Sequence, residues 1–237
     1  IATVLLFQFY VAMFFLPAKG AGGEGKISLD LLRDMVDGVI YVKGHSGIWF
    51  LMVILTITGI LGRPFMELAP AYADLIFGLK ADGFAIILST VGGGALLSSL
   101  WLARRAQIKG LTKLTTGWFC VLGLGLVAFS LTKNIIVAVP ILFVIGFALL
   151  VTSIATQSLI QNAAVPTMRA RAVSFFIMLN WGMPAIGALI MGAIATLVGL
   201  QVTIAGGAVL SLAFWLWAHH AGKRHIDILE ASGETKE

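Results

Sequence analysis

Arg63 and Glu67 stand at i, i+4 in GRPFMELAPAYAD, residues 62–74, directly after a stretch, 46–62, that carries no charge. On a helix such side chains are neighbours, although Arg before Glu is the weaker order for an ion pair. Pro64 lies between them, withdraws one backbone donor and tends to kink the helix. Two readings of this set stay open. One is a cation at a helix end that stretches its head to water beside a carboxylate. The other is an outer gate, Arg63 with Glu67, paired with another part of the molecule in one state and hydrated in the next. Few other residues in apolar surroundings have comparable chemistry. Thr56 and Thr58 precede the pair in the same uncharged run, and Asn180 with Trp181 falls in another, 172–222. A polar group held away from water requires a partner. For the threonines the expected partner is their own helix backbone; for Asn180, a neighbouring helix and a bound molecule stand level. These four are the candidates for lining a cavity.

Catalytic and metal signatures are missing from the sequence. There is no HExxH, no nucleophile and base at motif spacing, and no phosphate-binding Gly-Lys loop. The histidines are scattered, and the one cysteine, Cys120, sits in an apolar run where a thiol packs as a small hydrophobe. No enzyme, metal site or bound cofactor is expected.

The elements that must position these residues are membrane spans. The chain is 59% hydrophobic and 11% charged, against roughly 45–50% and about 25% in ordinary soluble domains. A bilayer core takes about 20 helical residues to cross. Charge-free runs at 46–62, 83–103, 114–132, 134–168 and 172–222, with an apolar opening at 1–17, predict spans at 1–17, 46–69, 83–103, 114–132, 134–160, 171–198 and 203–221. The longest run divides at LVGLQVT, where a Gly and a Gln offer a turn. The first span has no basic leader region or small-residue cleavage site, so it reads as a transmembrane helix entered part-way and not as a signal peptide.

Alternating the connections between two sides leaves only Arg63, Lys80 and Lys133 of the 16 basic residues on one of them. Lys and Arg are retained on the cytoplasmic face. The crowded side, with Arg104, Arg105, Arg169, Arg171 and the C-terminus, is therefore expected in the cytosol of a cell whose inner membrane holds the protein. The pI near 9.6 then reports topology, and nucleic acid is not an expected partner. In the connection 18–45, Leu32, Met35, Val36 and Val39 follow one helical face, with Ser28 as N-cap, which suggests a short helix lying on the membrane surface. Gln157 and Gln161 with Arg169 and Arg171 are expected to tie down a cytoplasmic loop, and His219 and His220 to anchor a helix end. The glycines, among them Gly92, Gly94, Gly187 and Gly192, are expected to permit close helix contact.

Six spans after a long amphipathic connection, itself after one more span, resemble the second half of a major facilitator superfamily transporter. DGVIYVKGHSGIWFLMVI and GRPFMELAPAYADLIFGLKADGFAIILSTVGGGALLSSL resemble the seventh and eighth helices of the bacterial exporter branch that includes the enterobactin exporter. TQSLIQNAAVPTMRARAVSFFIMLNWGMPAIGALIMGAIATLVG resembles its tenth-to-eleventh region, with Met168, Arg169, Ala170 and Arg171 where that branch has a pattern close to Met-Arg-Gly-Arg. Ala103 stands near where the superfamily's loop signature has aspartate, before Arg104 and Arg105.

The resemblance implies an all-α membrane protein: residues 1–17 as the last helix of an N-terminal half, 18–45 a cytoplasmic linker, 46–221 the six-helix C-terminal domain and 222–237 a cytoplasmic tail. It implies secondary active export of a small amphipathic compound, such as a siderophore or drug, by rocking of two halves about a midplane site. A lipid or lysolipid flippase and a non-transporting membrane sensor or scaffold remain as alternatives. The implied partners are membrane lipid, a small-molecule substrate and the missing N-terminal half. On that reading Thr56, Thr58, Asn180 and Trp181 line the substrate cavity.

Overall fold

The computed structural model describes residues 40–105 and 110–222. The expected span 1–17, the amphipathic face at 32–39 and the tail beyond 222 lie outside them.

Among the described residues the chain is helical throughout and has no strand. The elements are α1 (Ser46–Ile57), a single π-turn (Thr58–Gly62), α2 (Phe65–Leu75), α3 (Lys80–Arg105), α4 (Leu111–Leu131), α5 (Ile135–Ala163), α6 (Arg169–Val198) and α7 (Leu200–Gly222). The segment Ser46–Leu75 forms one span, and with α3 to α7 there are six helices long and apolar enough to cross a membrane. All six expected spans in this region are present. They overrun the charge-free runs because charged residues occupy end turns, where they reach water. Asp82 stands in the first turn of α3 and Arg104 and Arg105 in its last, each on the side that the helix dipole favours.

Local chemistry sets the boundaries. The Asn134 side chain accepts from Ile136 N at 2.9 Å and opens α5. The divide in the longest apolar run is narrower than the sequence suggests: Gly199 alone leaves helical geometry, at φ +88°, before α7 resumes at Leu200. That φ is one a residue with a Cβ resists.

Cross-links at the helix ends show which ends lie together. Tyr41 Oη accepts from Val165 N at 3.1 Å, and Arg105, Leu111, Gln161 and Arg169 share one pocket. At the opposite end Tyr72 Oη donates to the carbonyls of Phe129 and Ser130, each at 3.2 Å, and Gln201 Nε2 donates to Ser130 O at 3.1 Å. The basic residues Arg105 and Arg169 therefore share an end, as alternating crossings require, with Lys80 at the other.

Helix α3 packs chiefly on α5, and α4 on α5 and α7. The α3–α5 crossing is the closest approach: a Cβ added at Gly94 would run into the backbone of Phe143 and Phe147, and one at Gly146 into the backbone of Val91. This is the close-contact role expected of glycine. It does not extend to Gly92 or Gly192, beside which a Cβ would meet nothing within 4 Å.

Two hydrophobic clusters fill the bundle. The inner one, named for the end that carries Arg105 and Arg169, joins Ile48, Leu51 and Leu55 to Leu159, Ile160 and Phe176. The outer one joins Phe65 and Tyr72 to Phe119, Leu126, Phe129 and Leu142. On the first span the inner cluster ends at Leu55 and the buried outer cluster starts at Phe65; on α5 they stop at Ala155 and Ala148. The residues between include Thr58 and Arg63 on the first span and Thr152 and Ser153 on α5, and these polar groups define the site.

Candidate functional site

The seam between the clusters is lined by Leu55, Thr58, Gly59 and Arg63 of the first span, Leu149, Thr152, Ser153 and Thr156 of α5, and Asn180 of α6. Counted from the inner ends of their helices at roughly 1.5 Å per residue, Thr58, Thr152 and Asn180 lie about 18, 17 and 17 Å along. Three independent helices thus place the seam at one depth, well inside a hydrocarbon core of about 30 Å.

Arg63 reaches this depth through two features of the chain. Pro64 cannot donate to Ile60, and the helix responds with one wider turn, closed by Arg63 N to Thr58 O at 3.0 Å. Such π-turns are rare and concentrate at functional positions. Second, Cα–Cβ bonds tilt toward a helix N-terminus, which for this span is the inner end. The side chain is aimed back into the bundle, and Arg63 Nη1 donates to the Asn180 carbonyl at 2.8 Å.

In this conformation Arg63 and Glu67 stand apart. Glu67 is exposed one turn further out. No ion pair joins it to Arg63, and among the described residues only the Asn180 carbonyl accepts from the guanidinium. An arginine at the centre of a membrane helix costs about 2.5–3.5 kcal/mol on insertion scales; the Cα of Arg63 stands about 25 Å along its span, only its head group reaches the seam, and one neutral acceptor offsets part of the cost of holding it there.

The other lining groups are mostly hydroxyls. Thr58 Oγ1 donates to Ile54 O at 2.7 Å and Thr56 Oγ1 to Met52 O at 2.8 Å, the backbone bonds expected of them. Thr56 does not line the cavity. Ser153 Oγ donates to Asn180 Oδ1 at 3.3 Å, so Asn180 makes an interhelical bond and anchors Arg63 by its backbone. Thr152 and Thr156 are 4% and 1% exposed, and their hydroxyls have no hydrogen-bond partner among the described residues. The cavity itself is about 10 Å³, room for about one water.

Thr152, Ser153 and Thr156 escaped the sequence reading. Their signal was TSIAT in α5, where i and i+4 share a face, set in a run otherwise apolar. Trp181, a cavity candidate, is 75% exposed and belongs to a different face of α6 from Asn180, which is 8% exposed.

At the inner end Arg105 and Arg169 line a second, open pocket of about 630 Å³ with Ser99, Ser158, Gln161 and Asn162. Arg104 is exposed outside it. Arg171 donates to Met168 Sδ at 3.5 Å. His219 lies against Trp215, with ring centroids 5.4 Å apart, and the described residues hold no group of metal-ligating side chains.

A bundle of six membrane-length helices with a partly buried cation at a polar seam is that of an all-α multi-pass membrane protein. Residues 16–234 match the family described as transmembrane secretion effector. The chain belongs to that family, which is of the major facilitator superfamily type, and is a membrane transporter. Comparison with curated proteins and with solved structures gave no match.

Proposed function

We propose that the protein is a secondary active exporter of a small amphipathic compound, working by alternating access, with the seam around Arg63 on its translocation path. The observation that carries this is the place of the Arg63 head group: a guanidinium drawn back among membrane-length helices to Asn180 O, without a carboxylate partner among the described residues, is costly, and such groups mark substrate or ion pathways. Apolar walls with few convergent polar groups suit an amphipathic cargo.

The six described spans are read as a C-terminal half, with residues 46–221 as its membrane domain, that closes against six further helices. Helices α3 and α6 support this reading. Only 22% and 11% of their apolar windows are buried, which leaves long apolar faces for another half-bundle or lipid. The end carrying Arg104, Arg105, Arg169 and Arg171 is assigned to the cytosol by its charge. Glu67 with Arg63 remains a candidate outer gate only in a conformation other than this one. Among the described residues no carboxylate lies at the depth of the seam, so a proton carrier belongs to other parts of the transporter.

The test is transport by the full-length protein in proteoliposomes with an imposed proton gradient, using a panel of siderophores, dyes and lysolipids. Gradient-dependent movement of a soluble amphiphile, abolished in Arg63→Gln, is expected. Movement of lysolipid alone would transfer the assignment to a flippase, and gradient-independent silence across the panel to a sensor or scaffold.

A further inference from the structure

The chemistry around Arg63 is one-sided. The guanidinium has five N–H donors and spends one on Asn180 O. Thr152 and Thr156 each hold, against the same cavity, a hydroxyl with no partner among the described residues. The nearby acceptors are engaged: Asn180 O takes Arg63, and Asn180 Oδ1 takes Ser153. What is left is a positive charge with unspent N–H donors and two hydroxyls free to donate, walled by Leu55 and Leu149 and placed between two apolar clusters.

We infer that this seam receives an oxyanion, the carboxylate or phosphate head of the cargo, and that the transporter selects acidic amphiphiles over neutral and cationic ones. The inference rests on the transport reading above. A carboxylate is acceptor-only, and Arg meets it through two parallel N–H bonds. It would take up the unspent guanidinium edge and both threonine hydroxyls. A cation would be repelled by Arg63 and would find no carboxylate among the described lining residues. At about 10 Å³ the seam is closed in this conformation. The wall that must move to admit a head group includes the π-turn Thr58–Gly62, where Pro64 makes no bond to the preceding turn. The cargo's apolar body would then lie along the flanking clusters.

The full-length transporter in phosphatidylcholine nanodiscs tests this, with one decyl chain carrying different heads: decanoate and decyl phosphate against decanamide and decyltrimethylammonium. Wild type is expected to bind the acids at least about tenfold tighter than the amide, the order of one charge-assisted bond. Arg63→Gln is expected to bring acid and amide to parity, while Arg63→Lys, which keeps the charge, retains part of the preference. Thr152→Val with Thr156→Val is expected to weaken acid binding several-fold. Equal affinities in wild type, an acid preference surviving in Arg63→Gln, or no binding of either acid overturns the inference. Acetate competing as well as decanoate also overturns it, since the site would then hold a bulk anion and not a cargo head. Transport continuing without head-group preference removes this inference alone; Arg63-dependent acid binding without transport of any compound removes the transport reading alone.

Discussion

Replacing Thr152 and Thr156 by valine should make the protein more stable and less active. Valine has nearly the shape of threonine, so the α5 packing survives and only the hydroxyls go. Both hydroxyls are buried without a partner among the described residues, a condition that costs about 1–3 kcal/mol per group. The low end applies here, because a threonine in a helix can turn its hydroxyl back toward the carbonyl four residues earlier. About 1 kcal/mol per site follows, and about 2 for the pair, with some departure from additivity since the two are helical neighbours. Unfolding of the purified transporter in a detergent–denaturant series would show the midpoint rising in T152V/T156V, while turnover in proteoliposomes falls. Ser153→Ala is the internal reference: it loses a 3.3 Å bond to Asn180 and should destabilise by about 0.5 kcal/mol, at the weak end for a hydrogen bond. A double valine variant destabilised by 1 kcal/mol or more would refute the reasoning. It would mean the hydroxyls are satisfied in the resting protein and hold the helices together. Stability gained against activity lost is the mark of polar groups kept for function.

Four other substitutions test the packing and the charge assignment. Gly94→Ala should destabilise by about 1–3 kcal/mol through overpacking against Phe143 and Phe147, whereas Gly92→Ala, which meets nothing within 4 Å, should be neutral or gain up to about 1 kcal/mol from helix propensity; paired thermal midpoints compare them. Tyr72→Phe removes the donor shared by Phe129 O and Ser130 O and should cost about 1 kcal/mol, read as a lowered midpoint with transport per folded molecule unchanged. Glu67→Gln should leave midpoint and head-group preference as in wild type, because Glu67 is exposed and unpaired with Arg63 here; a lost preference would restore the ion pair as the working unit.

The spans were legible in the sequence because lipid imposes a simple rule: backbone groups must bond within the segment, so a long charge-free run is a helix. The alternation of basic connections then fixed the count through Arg105 and Arg169, which do share an end. Boundaries were less legible, since Lys80, Asp82 and Arg169 lie inside their helices on turns that reach water. Arg63 was legible as a residue; the place of its head group was not. Counting along the axis put its Cα near the outer interface, and the backward tilt of the side chain carried its head inward. The π-turn depends on how Pro64 and the neighbouring helices share one extra residue, which spacing alone does not encode. Gln201, read as a turn residue, proves to be a tie to Ser130 O. The TSIAT hydroxyls became meaningful only once α5 and α6 were seen to meet Arg63 at one depth.

The most direct measurement is thiol labelling at the seam of the transporting protein. With Cys120 replaced by alanine, a cysteine at position 156 should react with water-soluble thiosulfonates during turnover, faster with a sulfonate-bearing reagent than with an ammonium-bearing one, and Arg63→Gln should erase that preference. Labelling that is absent throughout turnover, or faster with the cationic reagent, would contradict a hydrated path past a buried positive charge.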